Sequence, residues 1–144
     1  MRIAVGCDHR GLECKERVIK LLGEAGHAYQ DFGCLPGEMV DYPDIAGRVA
    51  RAVVQDGFEF GILICDTGIG MSIAANKVTG VRAALCHNGF MATRAREHND
   101  ATILCFSARE APETVREPVT AFLATPFQGG RHQARLDKIQ SLEG

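Results

Sequence analysis

The segment with the clearest capacity for chemistry is Cys65-Asp-Thr-Gly-Ile-Gly70, which follows an apolar run and precedes a helical pattern. Backbone N–H groups around Gly68 and Gly70, together with the N-terminus of the following helix, would form a cradle for an anion. The same positive helix end favours the thiolate form of Cys65. The segment therefore predicts an available thiolate beside an anion-binding turn. The structural alternative is a tight strand-to-helix turn whose glycines serve geometry alone.

Two other interpretations of this segment are disfavoured. It is neither a P-loop nor a G-x-G-x-x-G fingerprint, so the sequence gives little support to nucleotide binding. Asp66-Thr-Gly68 also spells the tripeptide of aspartic proteases. Those enzymes are all-β, whereas this chain alternates strand and helix patterns. Because the motif indicates a protease only within the protease fold, this interpretation is disfavoured.

Polar residues also follow the first predicted strand. Asp8 and His9 suit the binding of a sugar hydroxyl or, together with Cys7, of a metal ion. The metal is disfavoured because these ligands are adjacent and no other donor cluster has a matching spacing. No metal or other cofactor is therefore expected.

Two basic groups lie further along the chain. His98 stands near the end of a predicted helix, either as a favourably placed cation or as a general acid or base. Arg131 and Arg135 are four residues apart on one helix face, where two guanidinium groups match a phosphate dianion. A solvated helix face is the alternative. The arginine pair favours a small phosphorylated ligand.

The elements that position these residues alternate along the chain. Apolar patterning predicts strands near residues 2–6, 28–32, 60–65, 81–86 and 102–106, with helices over 12–25, from Pro43, and over 71–76, 89–98, 110–124 and 131–142. Such alternation implies a three-layer α/β/α sandwich, Rossmann-like, with a five-stranded parallel sheet. Sites in such sheets lie beyond the carboxyl ends of the strands, where Asp8, Cys65 and Arg109 fall.

Composition bounds the remaining possibilities. A length of 144 residues predicts one domain, residues 1–144. A net charge of −2 argues against nucleic acid or a membrane surface as a partner, since both favour a basic surplus. No apolar run approaches a membrane span or an export signal, so a cytoplasmic location is expected. The six cysteines are widely spaced and are expected to be reduced, at least four of them as small buried side chains.

The motifs in this order resemble those of type B ribose-5-phosphate isomerases and the related galactose-6-phosphate isomerase subunits. The resemblance covers nearly the whole chain and rests on Gly6-Cys-Asp-His9, Asp41-Tyr-Pro-Asp44, Ile64–Lys77, Arg96-Glu-His-Asn-Asp100 and Gly129-Gly-Arg-His132. It implies a cofactor-free aldose–ketose isomerase of carbohydrate metabolism, in the pentose phosphate pathway. The enzyme would act on a phosphorylated pentose through a cis-enediolate.

The resemblance also implies roles for individual residues. Cys65 would be the base that moves a proton between C1 and C2, and His98 would assist opening of the furanose ring. Thr67 would lie against the reacting oxygens. The backbone of Asp66, Gly68, Ile69 and Gly70 would stabilise the enediolate. The sugar hydroxyls would be bound by Asp8, His9 and Asn99, and the phosphate by Arg109, Arg131 and Arg135. The family is typically dimeric, which implies a homodimer or a dimer of dimers. Each site would be built from both chains, and the C-terminal helix would reach the partner.

One departure from the family pattern concerns Asp66, because relatives usually carry glycine directly after the catalytic cysteine. Its carboxylate adds negative charge beside a thiolate and an anionic intermediate, and repulsion of the thiolate is expected. Arg10, which stands where a small residue is common, is the candidate counter-charge. The departure leaves two alternatives open. One is isomerisation of a tetrose or hexose phosphate, the hexose needing a deeper pocket around residues 35–42. The other is a sugar-phosphate-binding protein without turnover.

Overall fold

The computed structural model describes residues 1–143, so Gly144, the last residue of the predicted domain, lies outside the described residues. The strands are β1 (Arg2–Cys7), β2 (Ala28–Asp31), β3 (Phe60–Cys65), β4 (Ala83–Leu85) and β5 (Ile103–Ser107). The helices are α1 (Leu12–Glu24), α2 (Tyr42–Gln55), α3 (Ile69–Ala75), α4 (Gly89–Asn99), α5 (Arg116–Ala124) and α6 (Arg131–Ser141), with a 3₁₀ turn at Pro112–Thr114.

The five strands form one sheet in the order β2-β1-β3-β5-β4, and every pairing is parallel. This confirms the predicted fold class. The register pairs Cys7 with Ile64 and Cys65 with Ser107, so the central strands β1, β3 and β5 end at one edge of the sheet. We call this the carboxyl edge and the opposite one the amino edge.

Apolar side chains cover both faces of the sheet, as a parallel sheet requires. The alternation along β3 shows the division: Ile62 and Ile64 pack towards α1, α4 and α5, whereas Leu63 and Cys65 pack towards α2 and α3. All four are at most 5% exposed. Cys65 therefore leaves the sheet on the α2–α3 face, which determines which helices surround it.

One predicted helix boundary is wrong. The pattern predicts a helix over residues 110–124, but α5 begins at Arg116, after the 3₁₀ turn. Pro118 lacks a backbone N–H, and in a helix already formed its ring would clash with the carbonyl of Thr114. Proline is tolerated in a first turn, where no hydrogen bond to a preceding turn is needed. The helix therefore begins two residues before Pro118.

Strand β4 is shorter than predicted and lies at one side of the sheet. Its outer edge at Ala83 is bound by the side chain of Asn76: the amide donates to the Ala83 carbonyl at 2.9 Å and accepts from its N–H at 2.8 Å. A side-chain amide thus takes the place of a neighbouring strand at this residue.

Candidate active site

A cavity of about 460 Å³ opens at the carboxyl edge, where the parallel fold predicts a site. Its lining consists of Asp8, Arg10, Tyr42, Cys65, Asp66, Thr67, Ile69, Gly70 and Ile73. The residues come from the ends of β1 and β3, the start of α2 and the first two turns of α3. The Cys65 segment and the Asp8 segment are therefore brought together as the sequence predicts.

Cys65 is the last residue of β3 and lines this cavity while only 5% exposed. Its position is fixed by the sheet, since the Ala108 N–H donates to the Cys65 carbonyl at 2.8 Å. All six cysteines are free and buried. Burial raises the pKa of Cys7 to about 12 and that of Cys86 to about 11, so both are neutral thiols. These two behave as small apolar side chains.

The turn after Cys65 depends on Gly68, whose φ of +82° lies in the left-handed region. A Cβ there would stand 2.8 Å from the carbonyl carbon of Phe106 and 2.6 Å from Leu85 Cδ1. Glycine is thus required on two grounds, conformation and space. The Thr67 hydroxyl accepts from the Ile69 N–H at 3.3 Å.

Tyr42 is a cavity residue that sequence reasoning missed. It begins α2, and its ring packs so closely on Gly70 that a Cβ at Gly70 would lie 2.6 Å from the ring. Gly70 stands in the first turn of α3, where backbone N–H groups have no carbonyl of a preceding turn to bind. The only signal in the sequence was the place of Tyr42 within the motif Asp41-Tyr-Pro-Asp44.

The carboxylate of Asp66 is bound by Arg109 rather than by Arg10. Arg109 Nε donates to Asp66 Oδ1 at 2.8 Å, and Nη2 lies 3.4 Å from Oδ2. The expected unopposed negative charge beside Cys65 is therefore compensated from the end of β5. Arg10 lines the same cavity and donates its backbone N–H to Asp8 Oδ1 at 3.0 Å.

His9 faces a neighbouring cavity of about 320 Å³, not the one that contains Cys65. This second cavity is lined by His9, Met39, Val40, Asp41, Asp44, Ile45 and Arg48. The His9 Nδ1 atom is buried and makes no hydrogen bond within the described residues. It therefore retains capacity for a polar ligand.

His98 and Asn99 lie at the opposite edge of the sheet. They end α4, and the carbonyls of Asn99 and Asp100 accept from Arg82 Nε at 3.0 and 3.1 Å, immediately before β4 begins. Asp100 terminates the helix in the left-handed conformation. The buried Arg96 guanidinium anchors this end through Asp100 Oδ1 at 2.8 Å and the Ala101 carbonyl at 2.7 Å.

Arg131 and Arg135 are close to His98 through α6. Both are exposed on the first turns of that helix, and between them the buried His132 ring stacks on His98 with centroids 4.3 Å apart. Gln128 ties the segment before α6 to α4, because its backbone N–H donates to the Glu97 carbonyl at 3.1 Å. Sequence reasoning missed His132, although the motif Gly129-Gly-Arg-His132 contains it.

Within one chain the predicted site residues therefore form two separate groups. Cys65 and Thr67 lie at the carboxyl edge, and His98, Arg131 and Arg135 lie at the amino edge. The five residues of β5, at roughly 3.3 Å each, separate these edges by about 13–16 Å. A pentose phosphate cannot bridge that distance within a single chain.

Two further observations concern metals and membranes. Across residues 1–143, no three His, Cys, Asp or Glu side chains converge as a metal site would require. In the same part of the chain, every helix is too short or too polar to cross a bilayer.

Comparison with known proteins defines the class. Ribose-5-Phosphate Isomerase B of Clostridium thermocellum is 45% identical, with a TM-score of 0.97 over 99% of this chain and 97% of that one. Ribose-5-phosphate isomerase B of Escherichia coli is 42% identical, over 99% of this chain and 96% of its own. D-erythrulose-4-phosphate isomerase of Pectobacterium atrosepticum is 39% identical over 96% and 93%. The protein is an aldose–ketose isomerase that acts on sugar phosphates.

The family follows from a match over residues 3–139. The chain belongs to the Ribose/Galactose Isomerase family. This confirms the family resemblance seen in the motifs.

Proposed function

We propose that this isomerase interconverts ribose 5-phosphate and ribulose 5-phosphate, with Cys65 as the base. The thiolate removes the proton from C2 of the open-chain aldose, and the electron pair forms the C1–C2 double bond of a cis-enediolate. A proton moves from O2 to O1, and reprotonation at C1 gives the ketose. Such a proton is weakly acidic, so a positioned base and fixed donors for the developing oxyanion are needed.

The observation that carries the proposal is the placement of Cys65 beside the first turn of α3 in one cavity. Thr67 and the backbone from Asp66 to Gly70 surround the place where the enediolate oxygens would lie. Asp8, at the same cavity, would bind a hydroxyl. The two glycines let this turn pack against Phe106 and Tyr42, which positions its backbone N–H groups beside Cys65.

The division of the site between two edges supports a homodimer in which each active site takes residues from both chains. One chain would supply Cys65, Thr67 and Asp8. The second would supply His98 for opening of the furanose ring, Asn99 for a hydroxyl, and Arg131 with Arg135 for the phosphate. The C-terminal helix α6 would then reach into the partner's site. A dimer is the smallest assembly that completes the constellation; a dimer of dimers would contain the same unit.

Exposed apolar side chains beside the cavity are consistent with such a contact. Ile69 and Ile73 on α3 line the cavity and are 51% and 59% exposed. Side chains of this size are usually buried, and a group of them beside an incomplete site is typical of an interface.

A tetrose phosphate is the second candidate substrate. The observation that favours it is the similarity to the Pectobacterium atrosepticum protein named D-erythrulose-4-phosphate isomerase. A hexose phosphate would need additional room around residues 35–42. The neighbouring cavity that contains Met39 and His9 lies in that region.

The substrate is tested by coupled isomerase assays on a matched panel of tetrose, pentose and hexose phosphates. We expect the highest kcat/KM with ribose 5-phosphate. A preference for the tetrose or the hexose would overturn the substrate assignment. The absence of turnover on all three would favour the sugar-phosphate-binding protein.

The shared site is tested by mixing two inactive variants, Cys65→Ala and Arg131→Ala with Arg135→Ala, after unfolding and refolding together. In a random mixture half of the dimers contain one of each chain, and each of these has one intact site. About a quarter of the wild-type activity is therefore expected to return. If each site belonged to a single chain, none would return. Sedimentation of the same samples reports whether dimers pair further.

A further inference from the structure

The ion pair between Asp66 and Arg109 is built into the backbone as well as the side chains. Arg109 meets both oxygens of the carboxylate, at 2.8 and 3.4 Å. The Ser107 hydroxyl donates to the Asp66 carbonyl at 2.7 Å and accepts the Arg109 N–H at 3.0 Å. Ser107 thus links the turn after β3 to the turn after β5. Because both loops are tied to one hydroxyl, the backbones of Asp66 and Arg109 are held close together, and the guanidinium reaches the carboxylate from there.

The pair leaves the carboxyl edge without a surplus of positive charge. Asp66 is paired there with Arg109, and Asp8 and Arg10 contribute one charge of each sign to the lining of the same cavity. On α6, in contrast, Arg131 and Arg135 stand side by side and their positive charges contribute to lowering the pKa of His132. A phosphate dianion needs uncompensated cationic donors. The α6 cluster offers them, and the Asp66 side of the cavity does not.

The Asp66 carboxylate has acceptor capacity that Arg109 does not use. A carboxylate offers about four lone-pair positions, and the guanidinium occupies one on each oxygen. Asp66 lines the cavity and its side chain is 39% exposed, so the carboxylate's remaining positions are open to a ligand. A glycine at this position would provide no such acceptor. Sugar hydroxyls are donors of the kind that a carboxylate accepts.

We propose that the Asp66–Arg109 pair determines specificity by recognising a hydroxyl group of the substrate. This inference rests on the isomerase function proposed above. Asp66 accepts a hydrogen bond from a sugar hydroxyl. Arg109 is a positioning residue that fixes this carboxylate and offsets its charge, and the phosphate is bound by Arg131 and Arg135 without Arg109. This replaces the assignment of Arg109 to the phosphate that the family resemblance implies.

The proposal is tested with Arg109→Ala, Asp66→Gly and the double variant in the full-length protein, with inorganic phosphate as the probe of the anion site. We expect Arg109→Ala to lower kcat/KM about 10-fold or more, because the Asp66 carboxylate is then unfixed and uncompensated beside the anionic enediolate that forms at Cys65. In the Asp66→Gly background the same substitution is expected to change kcat/KM less than about 2-fold. The inhibition constant of inorganic phosphate should stay unchanged in Arg109→Ala and rise about 10-fold or more in Arg131→Ala.

Two results would overturn the proposal. One is an Arg109→Ala effect of equal size in the presence and absence of Asp66. The other is a loss of phosphate inhibition in Arg109→Ala as large as that in Arg131→Ala. Arg116→Ala is the matched control, since Arg116 is exposed and its guanidinium pairs with Glu24 at 3.6 Å, outside the cavity. Direct calorimetric binding of inorganic phosphate separates this question from turnover, so it can be answered even if the proposed isomerisation fails.

Discussion

The imidazole rings of His98 and His132 are stacked, with centroids 4.3 Å apart and planes inclined by 14°. The contact joins the end of α4 to the first turn of α6. It therefore fixes the proposed ring-opening residue relative to the proposed phosphate-binding arginines. His132 has two consequences, one for the geometry of the site and one for the dependence of stability on pH.

Acid is expected to destabilise the fold through His132. Burial lowers the pKa of His132 from its ordinary value of 6.5, as do His98, Arg131 and Arg135, while Glu97 opposes them. The unfolded chain therefore binds the proton first as pH falls below about 6.5, and stability decreases there. His132→Phe keeps a stacking ring without the charge. Urea unfolding at pH 7.5 and 5.5 should show a smaller acid loss in this variant than in the wild type. An equal loss in both would assign the effect to other groups.

Cys65→Ala is expected to retain the fold and substrate binding and to lose isomerisation by at least about 10²-fold, since a positioned base typically contributes 10²–10⁴-fold. Exchange of solvent deuterium into C1 or C2 of the substrate reports the proton transfer directly. Cys105→Ala is the control, because Cys105 is buried in the core and does not line the cavity. Exchange at the wild-type rate in Cys65→Ala would identify another group as the base.

Arg131→Ala and Arg135→Ala are each expected to raise KM for ribose 5-phosphate by roughly 10- to 150-fold. This range corresponds to the loss of one charge-assisted contact of ~1.5–3 kcal/mol. Part of the effect would appear in kcat if phosphate binding also orients the sugar. Lys138→Ala on the same helix is the control. If activity on free ribose fell by the same factor, the phosphate assignment would be wrong.

Gly68→Ala is expected to destabilise the protein, by about 1–3 kcal/mol for the left-handed conformation and more for the contact with Phe106. The control is Gly23→Ala, in α1, where a Cβ meets nothing within 4 Å. That change should stabilise the protein by about 0.4–1 kcal/mol, because alanine is the better helix former. Urea unfolding of both variants measures the difference. A stability for Gly68→Ala equal to that of the wild type would contradict this account of the turn.

The fold was largely predictable, because the strand and helix patterns alternate and the central strands β1, β3 and β5 are mainly apolar. The order of the strands was not. β5 inserts between β3 and β4, and only this insertion brings Arg109 next to Asp66, 43 positions away along the chain. Local patterning contains no information on which strand lies beside β3, so the ion pair could not be derived from it.

The sequence also predicted some residues of the candidate site and missed others. Cys65, Thr67 and Asp8 lie at one cavity, as their places at the ends of β1 and β3 predict, and their roles stay predictions. Tyr42 and His132 were missed because their roles arise from packing against Gly70 and His98, which no spacing in the sequence reveals. The predicted start of α5 was six residues too early, because the prediction followed the apolar periodicity and did not consider the restriction that Pro118 imposes.

The two hydrogen bonds between the Asn76 side chain and the Ala83 backbone affect the tendency of the protein to aggregate at high concentration. An outermost strand with unoccupied backbone groups can recruit a strand from another molecule, which is a route to aggregation. At β4 the N–H and carbonyl of Ala83 are already satisfied by one side chain, in a strand of only three residues. A recruited strand would have to displace this amide before it could pair with Ala83. Asn76 thus blocks the recruitment of a further strand at this flank of the sheet.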